Sequence, residues 1–354
     1  MFHKQTIMQV ALLGALWVAL TGPSALAADG KKLVVAAPGI PPIYASVILY
    51  VAEKEGFFKK YDVNVEIRPF DTGTAAARAV LTGDIEVALS PTTLIINQIS
   101  NTEANVVAFY GFPSPDWVLA STDPTKTTCK EVVGQPVGVD AVGGARSIAL
   151  RIMLAGGCPG VKIEDLRQVP LSSNTAPALV AGQLSLGVLH LDDLAVLAVQ
   201  GKKTNIVLEM KKTNPTSHYL LVIGRQDKLK ENRDGYVRML AGLIEAARFM
   251  QDPKNADRVA EAAAPTGHSK EINKAALKQF LDISFWATND DGMDSKTLDA
   301  MTAISVKTGG ILPGKKPVNY ERLVDPTVWK DANALTQRLI ALSQACLDVV
   351  SFPD

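Results

Sequence analysis

The sequence carries no excess of charge of either sign: 36 Lys+Arg stand against 36 Asp+Glu over 354 residues. A nucleic-acid binder needs a basic face, so that class is excluded and no nucleic-acid partner is expected. Charged residues make up only 20% and hydrophobic ones 47%, which excludes a disordered chain. Cysteine is scarce, at 3, too few for a stapled scaffold and spaced without a zinc signature. Histidine is nearly as thin, at 4; beyond His3, His190, His218 and His268 are scattered without metal spacing, so neither metal nor cofactor is expected. The chain also lacks an HExxH zinc motif, a GxxxxGK[ST] phosphate loop and a GxSxG elbow. The length suits two domains or one large α/β unit.

One long apolar run exists, Ile7 to Leu20, preceded by Lys4 and followed by Ala25-Leu26-Ala27. It is shorter than the roughly 18 residues a membrane span needs, and the small residues suit a signal peptidase. The expectation is a signal peptide over residues 1–27, cleaved after Ala27, and a soluble periplasmic protein. No cysteine stands at the cleavage site to take a lipid anchor.

Downstream, glycines punctuate α/β units. Lys32 to Ala37 reads as a strand, Pro38 to Pro42 as a turn, and Tyr44 to Glu55 as a helix stopped by Gly56. A strand at Val63 to Arg68, a helix at Thr74 to Leu81 and a strand at Ile85 to Leu89 follow, and another helix starts after Ser90-Pro91-Thr92-Thr93. The order then repeats: strand Gln135 to Asp140, glycine loop, helix Ala145 to Leu154, strand Leu166 to Val169, helix Thr175 to Val180, strand Leu184 to Leu189. This repetition predicts two similar α/β lobes, each on a mostly parallel sheet. Polar stretches at Ser121 to Lys130 and Lys211 to Ser217 predict two hinge crossings, with Tyr219 to Ile223 rejoining the first lobe. The first lobe is expected to comprise 28–122 and 217–354, the second 123–216, with a helical C-terminal tail from Arg233 assigned chiefly to the first lobe and the back of the hinge.

Cys129 lies just before one strand of the second lobe and Cys158 just after the helix that follows it. In a strand-loop-helix unit those two ends share an edge, so a Cys129–Cys158 disulfide is geometrically reasonable; two unpaired buried thiols are the alternative. Cys346 is left over.

Ligands of open parallel sheets bind outside the carboxyl ends of the strands. Four loops qualify here: Pro38 to Tyr44, Ser90 to Thr93, Gly143 to Ser147, and His190 to Asp193. Gly143, Gly144, Arg146 and Ser147 form an anion-site candidate, because glycines expose backbone N–H groups at a helix start and Arg146 adds a full charge; a plain turn with Arg146 solvated is the alternative. Ser90, Thr92 and Thr93 offer hydroxyls at a facing helix start, either to a ligand or as ordinary caps. Tyr44, Phe112 and Trp117 read as cleft walls or as core, and His190 and Asp192 as cleft residues or as a buried histidine and a capping aspartate. The expected ligand is a small organic anion, carboxylate or sulfonate.

The strand Leu33-Val34-Val35-Ala36 with its Gly39 loop, the stretch Glu55-Gly56-Phe57-Phe58-Lys59-Lys60-Tyr61-Asp62-Val63, the stretch Leu81 to Ala88, and Val137-Gly138-Val139 before a glycine loop resemble the nitrate, sulfonate and taurine type of periplasmic substrate-binding protein. The resemblance covers roughly Lys32 to Ile223. It implies a two-lobed periplasmic-binding-protein (venus-flytrap) fold, a monomer that captures a small molecule outside the membrane, and delivery to the permease of an ABC importer. It places the pocket loops at Gly39 to Tyr44, Ser90 to Thr93 and Gly143 to Ser147, and departs at Leu189-His190-Leu191-Asp192. The related pyrimidine-precursor branch includes an enzyme with a cysteine-rich segment; no such segment exists here, so no enzyme is expected. An exported sensor or scaffold of the same fold is the alternative function.

Overall fold

The structure, a computed structural model, describes residues 32–350, with side chains to residue 342. The expected signal peptide, its cleavage after Ala27 and the side chain of Cys346 lie outside the described residues.

The strands are β1 Leu33–Pro38, β2 Val65–Phe70, β3 Val87–Pro91, β4 Val106–Phe112, β5 Val118–Ser121, β6 Pro136–Val139, β7 Arg167–Pro170, β8 Leu186–Leu189, β9 Asn205–Glu209 and β10 Leu220–Arg225. They form two 5-stranded sheets, β2-β1-β3-β10-β4 and β7-β6-β8-β5-β9. In the first, β1 pairs in parallel with β2 and β3, while β10 runs antiparallel between β3 and β4. In the second, β6 pairs in parallel with β7 and β8, while β5 runs antiparallel between β8 and β9. The central strands are continuous apolar runs because helices cover both faces; Leu33, Val35, Val87 and Leu89 of the first sheet are fully buried. Each such side chain contributes roughly 1.5–3 kcal/mol on leaving water.

The two sheets are topologically equivalent, and each takes its antiparallel strand from across the hinge. The return of β10 to the first lobe matches the expectation from Tyr219 to Ile223. The first crossing differs: β5 is hydrogen-bonded into the second sheet, so the lobes part before residue 118, not after residue 122. The crossing is the Pro113–Trp117 segment, whose prolines cannot donate to a ladder and so end β4. The polar stretch beyond β5 instead carries the short helix Cys129–Val132 within the second lobe.

The tail packs mainly on the first lobe and also reaches the second. Helix Arg233–Gln251 packs on helices Val47–Lys54 and Pro326–Val350 of the first lobe, but helix Lys270–Asp282 packs against Leu191–Val199 of the second. The tail therefore touches both lobes on one flank of the cleft. The shared-edge argument for the cysteines holds: helix Ala145–Gly157 returns its end beside Cys129, and the Cys129 and Cys158 sulfurs stand at bonding distance, 2.02 Å.

Candidate functional site

Between the lobes lies a narrow cavity of about 30 Å³ that is partly open to solvent. Pro38 at the end of β1 and Gly39 after it, Asp71 to Gly73 after β2, and Pro91 of β3 supply one wall; Asp140 after β6, Ser172 and Ser173 after β7, and His190 after β8 supply the other. These are the carboxyl ends of parallel strands in both sheets, where open α/β sheets hold ligands. Trp117 and Tyr219, one on each crossing, line the hinge side. The lobes are shut on one another: Ser172 Oγ donates to Asp71 Oδ2 at 2.9 Å, and Ser173 Oγ to the Ile40 carbonyl at 3.0 Å. Ser172 holds φ +51°, the left-handed region unusual for a side-chain-bearing residue, at this rim.

Arg146 is the cationic group of this cavity and is buried, not solvated, with 5% side-chain exposure. Its Nη1 donates to the Val188 carbonyl and, at 3.2 Å, to Asp193 Oδ2, which fixes the guanidinium from behind. Its Nε and Nη2 make no hydrogen bond among the described residues. The guanidinium carbon stands 5.8 Å from the Trp117 ring centroid.

The glycine loop does something other than cradle an anion. Asp140 Oδ2 accepts from the Ala145 N–H at 2.8 Å and Oδ1 from the Arg146 N–H at 3.0 Å, so a carboxylate of the chain itself already occupies this helix start. Gly144 is needed for that contact: a Cβ there would meet the Asp140 oxygens at 2.7 and 2.8 Å. The Gly143 N–H donates to Ser147 Oγ at 3.0 Å, and that hydroxyl donates to Gln168 Oε1 at 2.5 Å. Gly143, Gly144 and Ser147 are thus spent inside the second lobe, and Arg146 alone of that group offers free donors to the cleft.

At the facing helix start Thr92 is engaged, while the buried Ser90 Oγ has no hydrogen-bond partner among the described residues. His218 Nε2 lies 2.7 Å from the Gly292 carbonyl, which can only accept, so its Nδ1 accepts from the Thr92 hydroxyl at 2.7 Å. Burial pushes the His218 ring down to about 4, consistent with a neutral imidazole. Ser90 is fully buried away from the cavity, and Thr93 lines a smaller neighbouring space beside Trp117. Tyr44 is core: it is fully buried, donates to the Asn273 carbonyl at 2.6 Å and packs against Phe280 and Trp286. Phe112 is core as well, against Tyr110 and Phe285. Asp192 lies behind the cavity, facing His268 of the tail at 3.7 Å. Of the expected residues, Gly39, Trp117, Arg146 and His190 come together at the cavity.

His190 is set among aromatic rings, with Trp117 at 4.0 Å and Tyr219 at 5.9 Å between centroids. Its Nδ1 is 2.8 Å from Asp116 Oδ2 and 3.3 Å from the Tyr219 hydroxyl. Asp116 was passed over in the sequence although it sits within the aromatic Gly111 to Trp117 loop; the signal was a lone carboxylate in an apolar, proline-bound segment. Asp140 carried a signal too, an acid at a strand end before a glycine turn, which is a cap pattern. Asp71, Ser172, Ser173 and Tyr219 carried none. No group of His, Cys, Asp or Glu able to hold a metal occurs among the described residues, nor does a helix long and apolar enough to cross a membrane.

Known proteins match this architecture. A protein of Bordetella bronchiseptica RB50 superposes with a TM-score of 0.71 at 19% identity, covering 86% of this chain and 97% of that one. The alkanesulfonate-binding protein SsuA of Xanthomonas axonopodis pv. citri, bound to MOPS, gives 0.65 at 13% identity over 85% of this chain and 98% of its own. The periplasmic nitrate-binding protein NrtA of Synechocystis PCC 6803 gives 0.62 at 12% identity over 87% and 89%. The fold is therefore that of the periplasmic binding proteins. No curated protein matches the sequence itself. The family model described as NMT1/THI5 like matches residues 45–256, which take in strands of both sheets and every polar side chain of the cleft named above except His268, so the chain belongs to the NMT1/THI5-like family.

Proposed function

We propose that this protein is the solute-binding component of an ABC importer, a periplasmic, monomeric receptor that captures a small organic anion between its lobes and passes it to a membrane permease. The fold and family support the receptor role, and the similar solved structures include an alkanesulfonate-binding and a nitrate-binding protein. One observation carries the anion: a buried arginine lines the interlobe cavity with two of its nitrogens unengaged. Of the acids nearby, Asp140 is met by backbone N–H groups, Asp193 by Arg146 and the His190 backbone N–H, Asp116 by His190, and Asp71 at the rim by the Ser172 hydroxyl. A carboxylate or sulfonate bound at Arg146 gains a charge-assisted, desolvated contact that a neutral solute does not.

In this reading the two helix starts are not the main source of the anion's donors. Recognition rests on the Arg146 side chain, with Trp117 supplying apolar surface. The reading is that of a receptor and not an enzyme. Thermal-shift screening of carboxylates and sulfonates against matched uncharged amides and alcohols tests it. Stabilisation confined to acids supports the reading, and stabilisation confined to neutral compounds defeats it.

A further inference from the structure

His190 presents an unusual combination: a nearly inaccessible ring that lines the ligand cavity and is backed by a buried acid. Asp116 is 2% exposed, and its Oδ1 has no hydrogen-bond partner. Its other oxygen takes the His190 Nδ1, and the Tyr219 hydroxyl stands on the same nitrogen. The indole of Trp117 and the phenol ring of Tyr219 pack against the imidazole, so the ring is held in one orientation. His190 Nε2 makes no hydrogen bond among the described residues.

We infer that Asp116 is a positioning residue that fixes the Nδ1 side of His190, making Nε2 a second ligand anchor beside Arg146 and one that carries a proton when an anion is bound. The inference rests on the anion reading above and adds to it. An acid oriented on one ring nitrogen decides which atom the other side presents, and it stabilises the imidazolium. A buried carboxylate with one orphan oxygen is costly unless a positive charge stands beside it; burial pushes the Asp116 carboxyl above its usual range, and His190 opposes that rise. An anion reaching Nε2 supplies the reason for the proton to remain on the ring. The charged or titratable groups around the imidazole are Asp116 on the first crossing, Tyr219 on β10, Asp192 and Asp193 on its own helix, and Arg146 across Trp117.

The test uses the full mature protein in two arms. In the first, histidine is labelled with ¹⁵N; neutral His190 in the ligand-free protein is expected to carry its proton on Nδ1, facing Asp116, and Asp116→Asn to shift the tautomer populations. An unchanged tautomer in Asp116→Asn overturns the inference. In the second, benzenesulfonate and benzoate affinities are measured from about pH 6 to about pH 8, the range in which histidine changes charge. Wild type is expected to bind roughly tenfold more weakly at the upper end, and Asp116→Asn and His190→Gln to bind with little pH dependence. The glutamine variant keeps a polar group without a titrating one, so it serves if the Asp116 variant fails to fold. A pH slope that survives in His190→Gln overturns the inference. Failure of both acids to bind at any pH, with a His190 tautomer that depends on Asp116, defeats the anion reading and leaves the Asp116–His190 relation standing.

Discussion

His268, in the tail, reaches Asp192 at the start of a second-lobe helix, its Nε2 3.7 Å from Oδ2. The contact joins the two lobes beside the cleft, and Asp192 Oδ1 is buried without a partner. The Asp192 carboxylate facing it raises the His268 titration above the usual histidine range. Burial alone would push Asp192 up, but His268 and His190 hold it below the usual carboxylate range. A raised histidine contributes stability that is fully present below about pH 6.5 and lost as pH rises through its folded value. The depressed aspartate contributes above about pH 4 and is lost on acidification. The melting temperature of the ligand-free protein should therefore fall as pH rises above about 6.5, and His268→Gln should flatten that fall. An identical pH slope in the variant would show that the pair does not stabilise the closed lobes.

Arg146→Ala should weaken binding of a bound acid by roughly 30-fold or more, since losing a charged partner in a desolvated cleft costs about 2–5 kcal/mol. Part of that loss comes from Asp193, left with the His190 N–H as its remaining hydrogen-bond donor. Calorimetric titration of both proteins with the same acid checks this; equal affinities would place Arg146 outside the binding contacts.

Gly144→Ala tests what the glycine loop is for. The added Cβ would crowd the Asp140 carboxylate off the Ala145 and Arg146 N–H groups, and losing such a cap costs about 0.5–2 kcal/mol. Denaturant unfolding should show that loss with Asp140→Ala as well, and the double variant should cost less than the sum of the two. Full additivity would mean the glycine and the acid act separately.

The pairing of Cys129 with Cys158 closes a loop with a sequence separation of 29. Loop-closure entropy puts its contribution at roughly 3.5 kcal/mol. Replacing both cysteines by serine should lower the unfolding free energy by an amount of that order. A non-reducing peptide map should show this bridge and a free Cys346; Cys346 bridged to either residue would break the account.

The sequence disclosed the repeated α/β units because buried parallel strands are short apolar runs stopped by glycine, a pattern that needs no partner to be seen. It hid the exchange of β5, since Val118 to Ser121 is equally apolar in either sheet and its pairing with β8 is set only when the lobes fold. The four loops were legible from their place after strands. Which of their atoms remain free was not, because Arg146 meets Asp193 and His190 meets Asp116 across sequence separations of 47 and 74. The glycine loop misled for a local reason: a cap built from Asp140 and an anion cradle share the same glycines, and only the position of the carboxylate tells them apart.

The central claim, that the cleft selects a small organic anion through Arg146, is tested most directly by mass spectrometry of the small molecule released when protein purified natively from the periplasm is denatured. The account predicts a carboxylic or sulfonic acid in the wild type and its loss from Arg146→Ala. Recovery of an uncharged or cationic compound, retained equally by the variant, would contradict it.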